Sequence, residues 1–95
     1  MALDTTIRAL SDATRREILR ALRGGDLTAG EIGGRFPITG ASISHHLNVL
    51  KEARLVRAER SGRTIVYSLN STVFQECMGE LLRFFEAAGE ERADG

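Results

Sequence analysis

Hydrophobic residues recur at helical spacing near the start of the chain. The spacing of Leu3, Ile7 and Leu10 predicts a first helix, which ends before the polar pair Ser11-Asp12. That pair can cap a second helix, because short polar side chains accept hydrogen bonds from the free amides at a helix start. Two consecutive helices are therefore expected before Gly24-Gly25, which supplies the stop.

The next segment predicts two helices joined by a short turn. Thr28 and Glu31 have the spacing of a capping box, which marks the start of a third helix that should end near Phe36-Pro37. Thr39 can cap a fourth helix a few residues later. Because the connection is so short, we interpret residues 28–53 as a helix-turn-helix.

The remainder predicts a hairpin and one more helix. Beta-branched residues on both sides of a Ser-Gly turn favour a β-hairpin, a wing, over residues 56–69. Asn70-Ser71 can cap a last helix to about Ala88, and the small, charged residues 89–95 are expected to fray. The predicted order is α-α-α-α-β-β-α, a mainly α winged helix-turn-helix fold in a single domain of 95 residues.

Charge is distributed unevenly along the chain although the net charge is zero. Residues 35–63 carry six basic and two acidic side chains, whereas residues 71–95 carry six acidic and two basic ones. This asymmetry indicates a middle segment of charge +4 that binds a polyanion and a last segment of charge −4 with a different role. Chance clustering on solvated surfaces is the alternative.

Composition places the chain among soluble globular proteins. Hydrophobic residues make up 42% and charged residues 27%, a balance that excludes a disordered chain. No apolar run is long enough to span a membrane, and the first residues do not resemble a signal peptide, so a cytoplasmic protein without a membrane partner is expected. The single cysteine, Cys77, excludes an internal disulfide and fits a reducing compartment.

The fourth helix and the hairpin tip carry the predicted contacts with double-stranded DNA. At 100° per residue, Ile43, Leu47 and Leu50 share the core side, and short polar side chains near the helix start are left to approach base edges. Two arginines flank the hairpin turn, where they could grip phosphates or, alternatively, be solvated as on any hairpin. The predicted DNA-binding residues are Thr39, Ser42, Ser44, His45, Asn48, Lys51, Arg60 and Arg63.

The two adjacent histidines point in different directions on this helix. His45 projects outward, toward DNA or into solvent without a role. His46 falls between Ile43 and Leu50 on the apolar side, which predicts a core or boundary histidine that makes a structural hydrogen bond.

The last helix carries more apolar side chains than one face requires. One side can pack on the domain, and the other needs a partner, so we predict a homodimer interface. The alternative is that all of these side chains serve an internal core. The predicted interface residues are Leu3, Ile7, Leu10, Phe74, Met78, Leu81, Leu82 and Phe85.

Three stretches resemble the ArsR/SmtB family of bacterial repressors, namely residues 10–19, 42–53 and 62–69. The likeness extends over roughly residues 3–85 and is strongest to the metal-independent members, the subgroup of the sporulation-delay autorepressor. The resemblance implies a homodimer built on the first and last helices. It also implies an operator with two-fold symmetry and repression by blocking polymerase.

The sequence departs from the family pattern in three places. Gly40 and Ala41 stand where many members carry glutamine and proline, so a base contact there is in doubt. Arg54 replaces a usual glycine and would be strained if the position needs positive φ. The third helix has no cysteine or histidine and the last helix has no histidine, so we expect no metal site of the family type and no cofactor. Cys77 is expected in the core, a redox role across the dimer being the alternative.

Two other classes of function are alternatives to DNA binding. Catalysis is disfavoured because Ser42, Ser44 and His45 fan around the helix axis, and no phosphate loop or nucleophile elbow accompanies them. A winged-helix module that binds protein rather than DNA is the stronger alternative. Such a module would have no need for Arg60 and Arg63 at the tip of the wing.

Overall fold

The computed structural model describes the backbone of residues 2–94 and the side chains of residues 3–86. It confirms the mainly α winged helix-turn-helix fold. The elements in chain order are α1 (Ala2–Leu10), α2 (Ala13–Arg23), β1 (Leu27–Thr28), α3 (Ala29–Gly33), α4 (Gly40–Glu52), β2 (Val56–Ser61), β3 (Thr64–Leu69) and α5 (Ser71–Asp94).

The short strand β1 is an addition to the predicted order. It pairs antiparallel with β3, opposing Leu27 to Tyr67 and Thr28 to Val66, so the sheet has the order β1-β3-β2. The prediction of a two-stranded hairpin was therefore incomplete. Two residues are too few to show an alternating pattern, and β1 is held by pairing with a strand that is distant in the sequence.

Two helix ends differ from the predictions. The third helix ends at Gly33 rather than near Phe36-Pro37, because Gly33 and Gly34 weaken a helix by roughly 1 kcal/mol each relative to alanine. The connection to α4 is correspondingly longer and covers residues 34–39. The last helix continues to Asp94 rather than ending near Ala88. The side chains of the predicted frayed tail lie outside the described residues, so fraying stays a prediction.

The hydrophobic core brings α2, α4 and the sheet together under α5. Its most completely buried large side chains come from four different elements or their ends: Ile18, Ile32, Leu50 and Leu55. Tyr67 closes the core from the sheet, and Val73 and Cys77 close it from α5. At about 25 cal/mol per Å² of apolar area, burial of these side chains is the main term that holds the helix-turn-helix on the sheet.

Hydrogen bonds at the helix starts agree with the predicted caps. The Thr28 hydroxyl accepts from the Glu31 amide at 3.1 Å, and the Glu31 carboxylate accepts from the Thr28 amide at 2.9 Å, which completes the capping box. The bonds that the Thr28 amide and hydroxyl make to this carboxylate lower the pKa of Glu31. Asp12 caps α2 in a similar way, its carboxylate accepting from the Arg15 amide at 3.0 Å.

The Asp12 cap makes a contribution to stability that depends on pH. The bond from the Arg15 amide is the largest cause that lowers the pKa of Asp12 below the ordinary value of 3.8, with smaller help from His46 and Arg15 charges. A carboxyl whose pKa is lower in the folded than in the unfolded state stabilises the fold at any pH above its ordinary pKa. This stabilisation is lost as the pH falls through the lower, folded-state pKa.

We therefore expect Asp12→Ala to lower the free energy of unfolding by about 1 kcal/mol near pH 7 and by progressively less below about pH 3.8. Asp12→Asn is the matched control, since asparagine caps as well and does not titrate. Urea unfolding of the three proteins across this pH range measures the effect. A difference between wild type and Asp12→Ala that persists unchanged at low pH would contradict it.

Arg54 ends α4 in a left-handed conformation, with φ of 64°. The Arg54 amide donates to the Lys51 carbonyl and the Leu55 amide to the Leu50 carbonyl, which is the bond pattern of a Schellman motif. Leu50 and Leu55 are both fully buried, so the motif also directs the chain from α4 into β2. The predicted strain at this position is thus present, because left-handed backbone costs a residue with a Cβ roughly 1–2 kcal/mol.

Replacing Arg54 by glycine is expected to raise the free energy of unfolding by about 1 kcal/mol, because glycine adopts this φ without strain. For a domain of this size the thermal midpoint should rise by roughly 4–8 °C. Arg54→Ala is the control, since it removes the charge and keeps the strained Cβ. Equal midpoints for Arg54→Gly and Arg54→Ala, measured by circular dichroism, would refute the assignment of strain.

Candidate nucleic-acid and protein interfaces

The start of α4 is built from small residues behind a side-chain cap. The Thr39 hydroxyl accepts from the Ser42 amide at 3.1 Å, so the chain turns into the helix at Thr39. Gly40 and Ala41 follow, both exposed, and no acidic side chain lies in the first turn. A helix start of this kind presents free amides and a partial positive charge to any approaching anion.

The faces of α4 are arranged as the helical spacing predicts. Ile43, Leu47 and Leu50 are buried against the core. Ser42 is half-buried, so this predicted DNA contact is the least accessible residue of the set. The exposed members on or beside the helix are Thr39, Ser44, His45, Asn48 and Lys51. The structure thus leaves a polar surface along the helix, which is what base-edge recognition in a major groove requires.

The two histidines differ in their surroundings, as predicted. His45 is exposed, whereas the His46 side chain retains only 13% exposure. Nδ1 of His46 lies 3.2 Å from a guanidinium nitrogen of Arg15 and 3.8 Å from a carboxylate oxygen of Asp12. The prediction that His46 is a boundary histidine with a structural hydrogen bond is confirmed.

The tip of the wing is a two-residue turn between paired strand ends. Ser61 opposes Thr64, and Arg60 opposes Ile65. Gly62 takes a φ of 64°, and glycine at the first of the two loop positions is typical of a type II′ hairpin turn. Arg63 is the second residue of this turn and Arg60 lies just before it on β2, and both are exposed. Two guanidiniums are therefore available at the tip of the wing for contact with a polyanion.

Arg15 is a functional candidate that the sequence predictions missed. Its guanidinium contacts the last turn of α1 and the side chain of His46 on α4, two elements that are far apart in the sequence. No local pattern marks this role. The sequence places Arg15 among several arginines on α2, and only the fold selects the one that reaches α4.

A second surface runs along α1 and α5 and is apolar. Leu3, Leu10 and Phe74 pack against the edge of the core, and a groove of about 430 Å³ lies between the two helices. Ile7 is 53% exposed, Met78 61% and Leu82 57%. The other exposed members of the predicted set are Leu81 and Phe85. The alternative concerned the eight apolar side chains of the last helix, namely Val73, Phe74, Cys77, Met78, Leu81, Leu82, Phe84 and Phe85. It is wrong that all eight serve an internal core, since five of them are exposed in the protomer: Met78, Leu81, Leu82, Phe84 and Phe85.

On the side that faces the core, α1 and α5 are joined by a contact between a hydroxyl and a thiol. The Thr6 hydroxyl lies 3.2 Å from Cys77 Sγ, and both side chains are buried. Cys77 is thus in the core, as expected, and its thiol is a hydrogen-bonded neighbour of Thr6 rather than an exposed group. A buried thiol of this kind has little access to oxidants.

Within the described part of the chain, no three histidine, cysteine or acidic side chains come together as a metal site would require. The same residues include no helix that is long and apolar enough to cross a membrane.

Comparison with known proteins places these features in a family. The helix-turn-helix domain family matches residues 10–59, which run from the end of α1 into β2. The transcriptional repressor SdpR of Bacillus subtilis is 49% identical over 82 residues, covering 86% of this chain and 91% of SdpR.

Solved structures agree with this match. An ArsR-like transcriptional regulator from Rhodococcus sp. RHA1 superimposes with a TM-score of 0.89 at 32% identity, over 97% of this chain and 87% of that protein. The homodimeric winged helix-turn-helix DNA-binding domain of Mb0332 from Mycobacterium bovis shares the fold, with a TM-score of 0.70 at 22% identity over 97% of this chain and 82% of that one. This chain belongs to the ArsR/SmtB family of winged helix-turn-helix transcriptional repressors, which are not enzymes.

Proposed function

We propose that this protein is a sequence-specific repressor that binds double-stranded DNA in the cytoplasm as a homodimer, on an operator with two-fold symmetry. It acts without a metal site of the family type. The observation that carries the proposal is the division of α4 into a buried apolar face and an exposed polar face that begins at a capped, uncrowded helix start. This is the form of a recognition helix.

The polar face of α4 supports recognition of bases. Ser44, His45 and Asn48 are exposed, and all three can exchange hydrogen bonds with base edges in a major groove. Gly40 and Ala41 offer no long side chain at the helix start, so the backbone can approach the DNA closely. Discrimination between sequences is therefore assigned to these three side chains.

The basic side chains support binding to phosphates. Lys51 lies near the end of α4, and Arg60 and Arg63 lie at the wing tip, all exposed. Charges that neutralise phosphates release counterions, which makes the affinity fall steeply with salt concentration. These residues are assigned to affinity rather than to choice of sequence.

The apolar surface on α1 and α5 supports association of two copies. Exposure of large apolar side chains such as Met78, Leu82 and Phe85 to water is unfavourable in free energy. A second protomer that packs on this surface would bury them. A symmetric pair would present two recognition helices to two half-sites about one helical turn apart. The homodimeric state of Mb0332, which has the same fold, is consistent with this arrangement.

The direct test is binding of the purified protein to DNA from its own upstream region, beside a scrambled duplex, at several salt concentrations. Tight, salt-sensitive binding to the native sequence alone is expected. Failure to bind either duplex at low salt would refute the proposal and favour a winged-helix module that binds protein.

Substitutions on the wing and on α4 should separate the two kinds of contact. Arg63→Ala is expected to weaken binding similarly on native and scrambled DNA and to reduce the salt slope by about one. His45→Ala is expected to lower the preference for the native sequence by about 1 kcal/mol, the contribution of one hydrogen bond to a base edge, with an unchanged slope. Fluorescence anisotropy titrations on both duplexes measure this. Identical losses from the two variants would refute the assignment of roles.

A charge on the apolar surface should break the dimer. Leu82→Glu places a carboxylate on each side of the symmetric interface, and loss of about 1.5 kcal/mol or more per protomer weakens association at least about 100-fold. Thr72→Glu is the control, because it adds the same charge at an exposed polar position of α5 that does not line the groove between α1 and α5. Analytical ultracentrifugation at micromolar concentration is the measurement. A wild-type monomer, or a dimer unaffected by Leu82→Glu, would contradict the interface.

A further inference from the structure

The Arg15 side chain lies between the last turn of α1 and the middle of α4. Its Nε donates to the Ala9 carbonyl at 2.7 Å and its Nη2 to the Arg8 carbonyl at 3.2 Å. Its Nη1 lies 3.2 Å from Nδ1 of His46. One side chain on α2 therefore contacts both the helix of the apolar surface and the helix of the polar surface.

The chemistry of the three contacts fixes their direction. A guanidinium can only donate, so Nδ1 of His46 is the acceptor in this contact. The carbonyls of Arg8 and Ala9 belong to the last turn of α1, which carries partial negative charge, and the Arg8 carbonyl also accepts from the Ser11 amide and hydroxyl. Asp12, at 3.8 Å from Nδ1, lies beyond hydrogen-bond distance and leaves this acceptor to Arg15.

The position of His46 makes this contact relevant to recognition. The His46 side chain is mostly buried, beside the buried Leu47, and directly follows the exposed His45, so its imidazole lies at the boundary between the two faces of α4. The planar Arg15 guanidinium bonds carbonyls of α1 on one side and the His46 ring on the other. These directional bonds restrain rotation of α4 about its axis. Packing of the buried face of α4 against the core also restrains this helix. Apolar contacts are not directional, however, so they define its rotation less sharply than hydrogen bonds do.

We infer that Arg15 is a positioning residue for DNA binding, which sets the orientation of α4 relative to α1. The inference rests on the proposed function, because α1 carries part of the interface between protomers. In a symmetric dimer the orientation of each α4 relative to α1 determines how the two recognition helices are presented to their half-sites. Arg15 thereby links assembly to recognition without contacting DNA.

Arg16 offers a matched control on the same helix. It is exposed, and its Nη1 donates to the Leu10 carbonyl at 2.7 Å. Arg16→Gln therefore removes one positive charge and one bond to the end of α1 and leaves the contact with α4 intact, whereas Arg15→Gln removes one charge, two bonds to α1 and the contact with α4. Arg16→Gln thus controls for the charge and for a bond to α1, and His46→Ala tests the link to α4 by itself.

The experiment measures the affinity of wild type, Arg15→Gln and Arg16→Gln for the native upstream duplex and for a scrambled duplex over a range of salt concentrations. Arg15→Gln is expected to lose about tenfold in affinity for the native duplex only, with an unchanged salt slope. Arg16→Gln is expected to stay close to wild type. A slope reduced by about one on both duplexes would mean that Arg15 binds phosphate directly, and equal losses in both variants would mean that the link to His46 is irrelevant; either result overturns the inference.

His46→Ala removes the other partner and completes a double-mutant cycle. The double variant is expected to bind no more weakly than Arg15→Gln alone, since both changes break one contact, whereas additive losses would overturn the inference. Sedimentation and circular dichroism show whether each variant remains a folded dimer, and if Arg15→Gln does not fold, His46→Ala against Arg16→Gln carries the test. Failure of wild type itself to prefer the native duplex would refute the proposed function instead.

Discussion

The burial of one face of α4 is the constraint on which the rest of the structure depends. Ile43, Leu47 and Leu50 sit in the core, and their spacing leaves the opposite side of the helix in solvent. A rotation of the helix by one residue would bring polar side chains into the core, at a cost of several kcal/mol for each unpaired group. The same packing that stabilises the domain therefore determines which side chains a partner can meet.

Polar contacts refine an orientation that apolar packing sets only in outline. The cap at Thr39 fixes where α4 begins, the Schellman motif at Arg54 fixes where it ends, and the Arg15 fork contacts it through His46 between these points. All three are directional, and two of them are formed by residues adjacent to the helix in sequence. The exposed polar face is thus delimited at both ends by backbone hydrogen bonds.

Local features were predictable from the sequence, and contacts between distant segments were not. The capping box at Thr28 and the buried face of α4 depend on residues within one or two helical turns, so spacing alone indicates them. Strain at Arg54 was expected only because the family usually has glycine there. Strand β1 and the contact between Arg15 and His46 depend on segments that the fold brings together, and no local pattern distinguishes them.

The apolar surface of α1 and α5 has a consequence for how the protein folds. The helix that exposes Met78 and Leu82 also buries Val73 and Cys77, so one element belongs at once to the core and to the surface proposed to join two protomers. When two copies associate through such an element, folding and assembly share one equilibrium, and stability becomes a function of protein concentration. Dilution of such a dimer then favours dissociation and unfolding. A lower total concentration of the protein therefore also means a lower folded fraction of the molecules that remain.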